Sequence, residues 1–218
     1  MHSILEDFWM MVYEHKSTHI VMLGNLVENG RVKVDQYWPI KRYIGYTIEL
    51  TLDSEEKFSN EVVHRTLTLT NKANYGDTRT VHQYHYFGWP DHGVPPSADG
   101  LLWLISHINK VKDASGDRSP IITHCSAGIG RTGAYCAIDI AIRNIREQKK
   151  RMLEEGRAGD RLYFDLMYIT KMLRNSRKGM IQQLDQYRYC YQAVLRYIEV
   201  CSAQPSFEFP EPHYDSLR

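Results

Sequence analysis

Cys125 and Arg131 bracket the stretch in which this sequence concentrates its chemistry, S-P-I-I-T-H-C-S-A-G-I-G-R-T-G from Ser119 to Gly133. A thiol becomes a nucleophile once ionised, and a guanidinium fork can grip two oxygens of a tetrahedral oxyanion. Ile121 and Ile122, following Pro120, read as a short buried strand. After Gly133, apolar or small residues at Tyr135, Ile138, Ala141, Ile142 and Ile145 recur at helical spacing. Residues Cys125 to Arg131 are therefore predicted to form a loop between a strand and a helix N-terminus. Gly128 and Gly130 let such a loop curl until successive N–H groups point into one concavity, and the helix start adds unpaired N–H groups and a positive dipole end. That is a phosphate cradle built from Cys125, Ser126, Ala127, Gly128, Ile129, Gly130 and Arg131, whose field also favours a thiolate at Cys125. The bland alternative is a buried structural cysteine followed by a glycine-rich turn.

The run H-C-S-A-G-I-G-R-T-G resembles the signature of the protein tyrosine phosphatases at every position from His124 to Gly133. Two further motifs of that family appear in its order: W-P-D-H-G-V-P from Trp89 to Pro95, and G-M-I-Q-Q-L-D-Q-Y from Gly179 to Tyr187. The resemblance extends from Leu5 to about Val200. It implies an α/β fold with a twisted mixed central β-sheet flanked by helices on both sides and the phosphate-binding loop between a strand and a helix N-terminus. It also implies roles: Cys125 as nucleophile, Arg131 as phosphate clamp, and Asp91, preceded by Trp89 and Pro90, as general acid. Gln182 would place the water of the second step, with Gln186 secondary. Thr132 would hydrogen-bond the sulfur, His124 would fix the loop through a hydrogen bond, and Glu28 would contact and orient Arg131. Without the resemblance, Asp91 is a turn residue or N-cap, Glu28 a solvated turn glutamate and Gln182 anonymous. The implied reaction hydrolyses phosphotyrosine through a cysteinyl-phosphate and needs no metal or cofactor.

Composition sets outer limits. The chain has 218 residues, 43% hydrophobic and 24% charged, which suits one globular domain with a real core. A formal net charge of +1 predicts no strong pull toward nucleic acid or an anionic membrane. The four cysteines, Cys125, Cys136, Cys190 and Cys201, have neither metal-type spacing nor the density of a secreted disulfide scaffold. With Glu6 and Asp7 near the front and no run approaching roughly 18 apolar residues, neither a signal peptide nor a membrane insertion is expected. A reducing cytoplasm is the expected setting.

The elements that must position this chemistry follow from periodicity. Leu5 to Lys16 reads as a helix with a stripe of Leu5, Phe8, Trp9, Val12 and Tyr13. Ile20 to Leu23 reads as a buried strand, Glu28-Asn29-Gly30 as a turn, and Tyr43 to Leu52, Val62 to Leu69 and Arg79 to Phe87 as strands. His82 and His85 lie on opposite faces of the last, so with His92 they are read as structural or surface histidines and not as a metal site. Helices are expected over Asp99 to Val111, Leu162 to Leu173 and Tyr187 to Val200, the last with Tyr191, Val194, Leu195 and Ile198 inward. Lys149-Lys150-Arg151 reads as a solvated helix end. Residues 1–201 are taken as the catalytic domain and 202–218 as an extended tail whose aromatics could dock on the domain or on a partner.

Domains of the resembled family carry several dozen residues ahead of the stretch matching Asp7-Phe8-Trp9, including a loop whose aromatic residue deepens the pocket for phosphotyrosine. With Met1 as the start, a shallower pocket and an exposed apolar face are expected, to be covered by a partner or by the missing segment. Two alternatives to a phosphotyrosine phosphatase follow: a phosphotyrosine-binding module with little or no turnover, and a shallow-pocket dual-specificity or lipid phosphatase.

Overall fold

In the computed structural model, which describes residues 4–74, 77–90, 92–157, 160–204 and 208–210, helix α1 (Ile4–Glu14) leads into strand β1 (His19–Leu23). There follow β2 (Val27–Glu28), β3 (Arg31–Val32), β4 (Arg42–Ile44), β5 (Ile48–Lys57), β6 (Val62–Asn71) and β7 (Asp77–Tyr86). The remaining elements are α2 (Asp99–Ser115), β8 (Ile121–His124), α3 (Gly130–Glu154), α4 (Leu166–Ser176) and α5 (Leu184–Ser202). The chain divides into two compact units, Met1–Asp91 with Lys112–Ser126, and His92–Val111 with Ala127–Arg218. The first is organised by strand pairing and the second by helices.

The first unit holds a 6-stranded sheet in the order β4-β5-β6-β7-β1-β8. Pairs from β4 to β7 are antiparallel, whereas β1 runs parallel to both β7 and β8, so the sheet is mixed and the class α/β, as the sequence indicates. Every residue of β1 is buried, which is why His19–Leu23 is an almost unbroken apolar run and not an alternating one. Trp9, Val12 and Tyr13 of α1 pack with Ile20, Met22, Leu50, Leu67, Leu69 and Val81 of the sheet. The acids Glu6 and Asp7 suit the first turn of α1. Among the described residues no helix is long and apolar enough to cross a membrane.

Several expectations need correction. The run Tyr43 to Leu52 is two strands, β4 and β5, because the chain reverses at Gly45, where an added Cβ would lie 2.8 Å from Glu6 Oε1 and from the Tyr43 ring. Glu6 belongs there as a buried acceptor for the N–H groups of Thr47 and Ile48, a pairing helical periodicity does not foresee. The strand ahead of the cysteine, β8, is longer than Ile121-Ile122 and only half-buried, as an edge strand should be. Helix α4 starts at Leu166, not Leu162, because Asp165 caps it by accepting from Tyr168 N at 2.8 Å. In α5 the inward stripe is Tyr189, Cys190, Ala193, Val194, Tyr197 and Cys201, while Tyr191 and Leu195 are exposed. The buried face is thus rotated from the expected one, and only Val194 is common to both.

The sheet also gathers histidines. Register sets His19 beside His82, ring centroids 5.4 Å apart, and His64 Nε2 lies 3.1 Å from His82 Nδ1. His19 Nδ1 lies 2.8 Å from Thr18 Oγ1, which donates to Asp117; Lys112 Nζ reaches Asp117 at 2.7 Å, and Ser119 N donates to Asp117 Oδ1 at 2.7 Å just before β8. Burial, then neighbouring His82 and Lys112, push the His19 pKa down to about 4, and burial lowers that of His82. Burial alone would raise Asp117, but hydrogen bonds from Lys112, Thr18 and Ser119 outweigh it and hold the carboxyl well below its usual range. A histidine kept neutral in the fold but free to protonate near pH 6.5 when unfolded contributes stability that is full above pH 6.5 and drains as pH falls toward about 4. Urea denaturation should therefore show stability falling between pH 6.5 and 4, with His19 contributing on the order of 3 kcal/mol to the loss. His19→Leu should flatten that slope; an unchanged slope in the variant would refute the assignment.

Candidate functional site

The unit built on the sheet holds the cysteine end of the loop. Cys125 is buried at the end of β8, whereas Ser126 and Ala127 are exposed. A line of hydrogen bonds runs across the sheet to its peptide. Arg65 Nη1 donates to Gln83 Oε1 at 3.0 Å, Gln83 Nε2 to Tyr37 Oη at 2.7 Å, Tyr37 Oη lies 2.7 Å from His124 Nε2, and His124 Nδ1 lies 3.2 Å from Cys125 O. Arginine can only donate and a carbonyl can only accept, so His124 carries a hydrogen on Nδ1. Burial lowers the His124 pKa, which favours the neutral imidazole with Nε2 accepting from Tyr37 Oη. Arg65 is anchored in turn by Glu55 and lies 4.3 Å over the Trp38 ring. Ser126 Oγ donates to Lys33 O at 2.9 Å, which ties the loop to the end of β3.

The other unit holds the rest of the loop. Gly128 has φ +68, a left-handed conformation that glycine adopts at little cost. Arg177, just after α4, donates from Nε to Gly128 O at 3.0 Å and from Nη2 to Ala127 O at 3.2 Å. In a trans peptide the N–H points opposite the carbonyl, so this grip turns the N–H groups of Gly128 and Ile129 away from Arg177. Ile129 O accepts from Gly133 N and Ile181 N, both at 3.0 Å, which sets the Gly130 N–H the same way relative to its own carbonyl partners. Helix α3 begins at Gly130 without a side-chain cap at Ile129, and Arg131 is its second residue. Two glycines of α3 serve close approach: a Cβ on Gly130 would meet Gln186 Nε2 at 2.9 Å, and one on Gly133 would meet Ile181 N at 2.3 Å.

Gln182 follows Ile181, a β-branched residue at φ +58, which costs roughly 1–3 kcal/mol and persists only when its surroundings over-determine it. They do so here. Arg174 donates to Met180 O and Ile181 O, each at 2.9 Å, and Gln186 Oε1 accepts from Gln182 N and Gln183 N, each at 3.1 Å. Gln186 is buried and committed to these backbone groups, while Gln182 is exposed.

Glu28 is buried rather than solvated, and its Oε1 accepts from Asn25 N at 3.0 Å. It sits at the expected turn, which Asn29 and Gly30, both with positive φ, make into the β2–β3 hairpin. Trp89 is buried and Pro90 exposed, whereas Asp91 lies outside the described residues. Thr132 is buried, and its Oγ1 has no hydrogen-bond partner among the described residues. Sequence reasoning missed Tyr37, Arg174 and Arg177. The two arginines stand directly before the Gly179-Met180-Ile181-Gln182 motif, a signal in plain view; Tyr37 has no local signal at all.

A family model described as "Protein-tyrosine phosphatase" matches residues 1–196. Among similar curated proteins, receptor-type tyrosine-protein phosphatase S of Gallus gallus is 39% identical over 193 residues, 88% of this chain and 12% of that protein. Tyrosine-protein phosphatase Lar of Drosophila melanogaster is 37% identical over 193 residues, 88% of this chain and 9% of that protein. Receptor-type tyrosine-protein phosphatase alpha of Homo sapiens is 36% identical over 209 residues, 95% of this chain and 24% of that protein. The chain thus spans a quarter or less of the length of each of these relatives.

The contact of Gly133 with Ile181 is testable by Gly133→Ala. Because the added methyl meets backbone and not a yielding side chain, the variant should lose about 2–3 kcal/mol in urea denaturation, toward the upper end of overpacking costs. A loss below about 0.5 kcal/mol would mean that the two segments do not approach as described.

Proposed function

The chain belongs to the protein-tyrosine phosphatase family, and on that premise we propose that it hydrolyses phosphotyrosine on proteins through a cysteinyl-phosphate. In the first step the Cys125 thiolate attacks phosphorus in line, the bond to the tyrosyl oxygen breaks, and Asp91 delivers a proton to that oxygen. The N–H groups of Ser126 to Gly130 and the Arg131 fork hold the three equatorial oxygens, and this placement and charge carry most of the catalysis. In the second step a water placed by Gln182 attacks phosphorus, gives its proton to the Asp91 carboxylate, and inorganic phosphate leaves with Cys125 restored as thiolate. Gln186 acts by holding the Gln182 backbone, and His124 by holding the Cys125 peptide. Thr132 and Glu28 have supporting places, the first beside the departing sulfur and the second at the orientation of Arg131. Trp89 and Pro90 set the segment that carries Asp91.

The observation that carries this reading is the grip of Arg177 on the Ala127 and Gly128 carbonyls, because it orients the following N–H groups as an anion cradle requires. All four cysteines are free thiols, which supports a reducing, cytoplasmic setting. Residues 1–201 are taken as the catalytic domain, with 202–218 a tail.

Release of phosphate from a phosphotyrosyl peptide should vanish in Cys125→Ser and fall by about 10²–10⁴ in Asp91→Ala. It should exceed release from the matching phosphothreonyl peptide and from a phosphoinositide. Equal rates in the native protein and Cys125→Ser would overturn the proposal, and a preference for the phosphoinositide would replace its substrate.

The same thiolate should be oxidised by peroxide to a sulfenic acid that added thiol reduces again. Activity should therefore fall on peroxide treatment and return with dithiothreitol. Activity indifferent to peroxide would argue against an ionised Cys125.

A further inference from the structure

In the helical unit, Trp103, Ser106, His107 and Lys110 of α2, Arg146 of α3 and Tyr197 of α5 line a groove that none of the chemistry above uses. The chain's own Glu208 and Phe209 complete its wall. The Phe209 ring lies parallel to that of Tyr197, centroids 6.1 Å apart at 10°. Lys110 Nζ donates to Glu208 Oε2 at 3.2 Å. With these two residues seated, a cavity of only about 50 Å³ remains, so the groove is close to full. Trp103 and His107, centroids 5.3 Å apart, extend its aromatic lining, and Ser106 Oγ is buried there with no hydrogen-bond partner among the described residues.

We propose that this groove is a docking site for a peptide in which an acid directly precedes an aromatic residue, and that Glu208-Phe209 of this chain occupies it in cis. The aromatic ring is the anchor, since it is large, rigid and stacked on a buried tyrosine. The carboxylate meets a wall that carries two cations, Lys110 and Arg146, and so sets the direction of the peptide more than its affinity, because an exposed ion pair contributes little. Helix α5 ends at Ser202, a few residues before Glu208, so the tail presents its pair at an effective concentration on the order of millimolar. A peptide in trans must compete with that.

The test uses the full chain and a fluorescent peptide with the sequence from Gln204 to Pro212, followed by polarisation. The peptide should bind the double variant Glu208→Ala, Phe209→Ala at least tenfold more tightly than the native chain, because the groove is vacated. Adding Lys110→Glu to the double variant should weaken binding only a few-fold, as an exposed pair allows, and a peptide carrying Glu208→Lys should recover that small loss. Equal affinity for native and double-variant chains, no binding to either, or undiminished binding of a peptide carrying Phe209→Ala would each overturn the proposal. The substitutions lie on a half-exposed tail segment and an exposed lysine, so loss of folding is not a competing outcome.

Discussion

One carbonyl oxygen, that of Ile129, accepts hydrogen bonds from the N–H groups of both Gly133 and Ile181, and the helical unit's part of the site is arranged around it. The first bond starts α3 at the end of the glycine loop. The second pins to that same point a segment some fifty residues later in the chain. For two backbone stretches to approach so closely, the residue between them must lack a side chain, which is why position 133 is glycine. Ile181 accepts an unfavourable φ because its N–H is held there, its carbonyl is held by Arg174, and the next N–H is held by Gln186. The strain is local, and these three hydrogen bonds to the backbone around it hold it.

Each unit braces its own share of the loop by backbone carbonyls rather than by the residues that give the motif its chemistry. In the sheet unit the brace is a relay from Arg65 through Gln83, Tyr37 and His124 to Cys125 O. In the helical unit it is the Arg177 fork on Ala127 and Gly128. Holding the carbonyls fixes the opposite N–H groups in advance, which is the preorganisation that the proposed anion cradle calls for. Tyr37 is central to the first relay: fully desolvated, its hydroxyl resists ionisation and serves only as a hydrogen-bond link.

Much of this was legible beforehand. The strand-loop-helix arrangement around Cys125, the amphipathic helices and the antiparallel strands all follow from period and turn chemistry, which are local. What failed was where local cues were degenerate or where a distant partner intervened. In α5 the expected stripe put Tyr191 and Leu195 inward, whereas burial took Tyr189, Cys190 and Ala193. The run from Tyr43 to Leu52 looked like one strand until Glu6, distant in sequence, required a reversal at Gly45.

The sequence alone determined which residues can do chemistry and in what order they come, because a thiol, a guanidinium and two glycines at this spacing carry their reactivity and their backbone freedom with them. Tertiary structure decided how those residues are held. What Tyr37, Arg177 and the left-handed Ile181 hold, or are held by, could not be read from neighbouring positions, since each meets a group far away in the chain, and the direction of a peptide N–H depends on what grips the carbonyl on its other side.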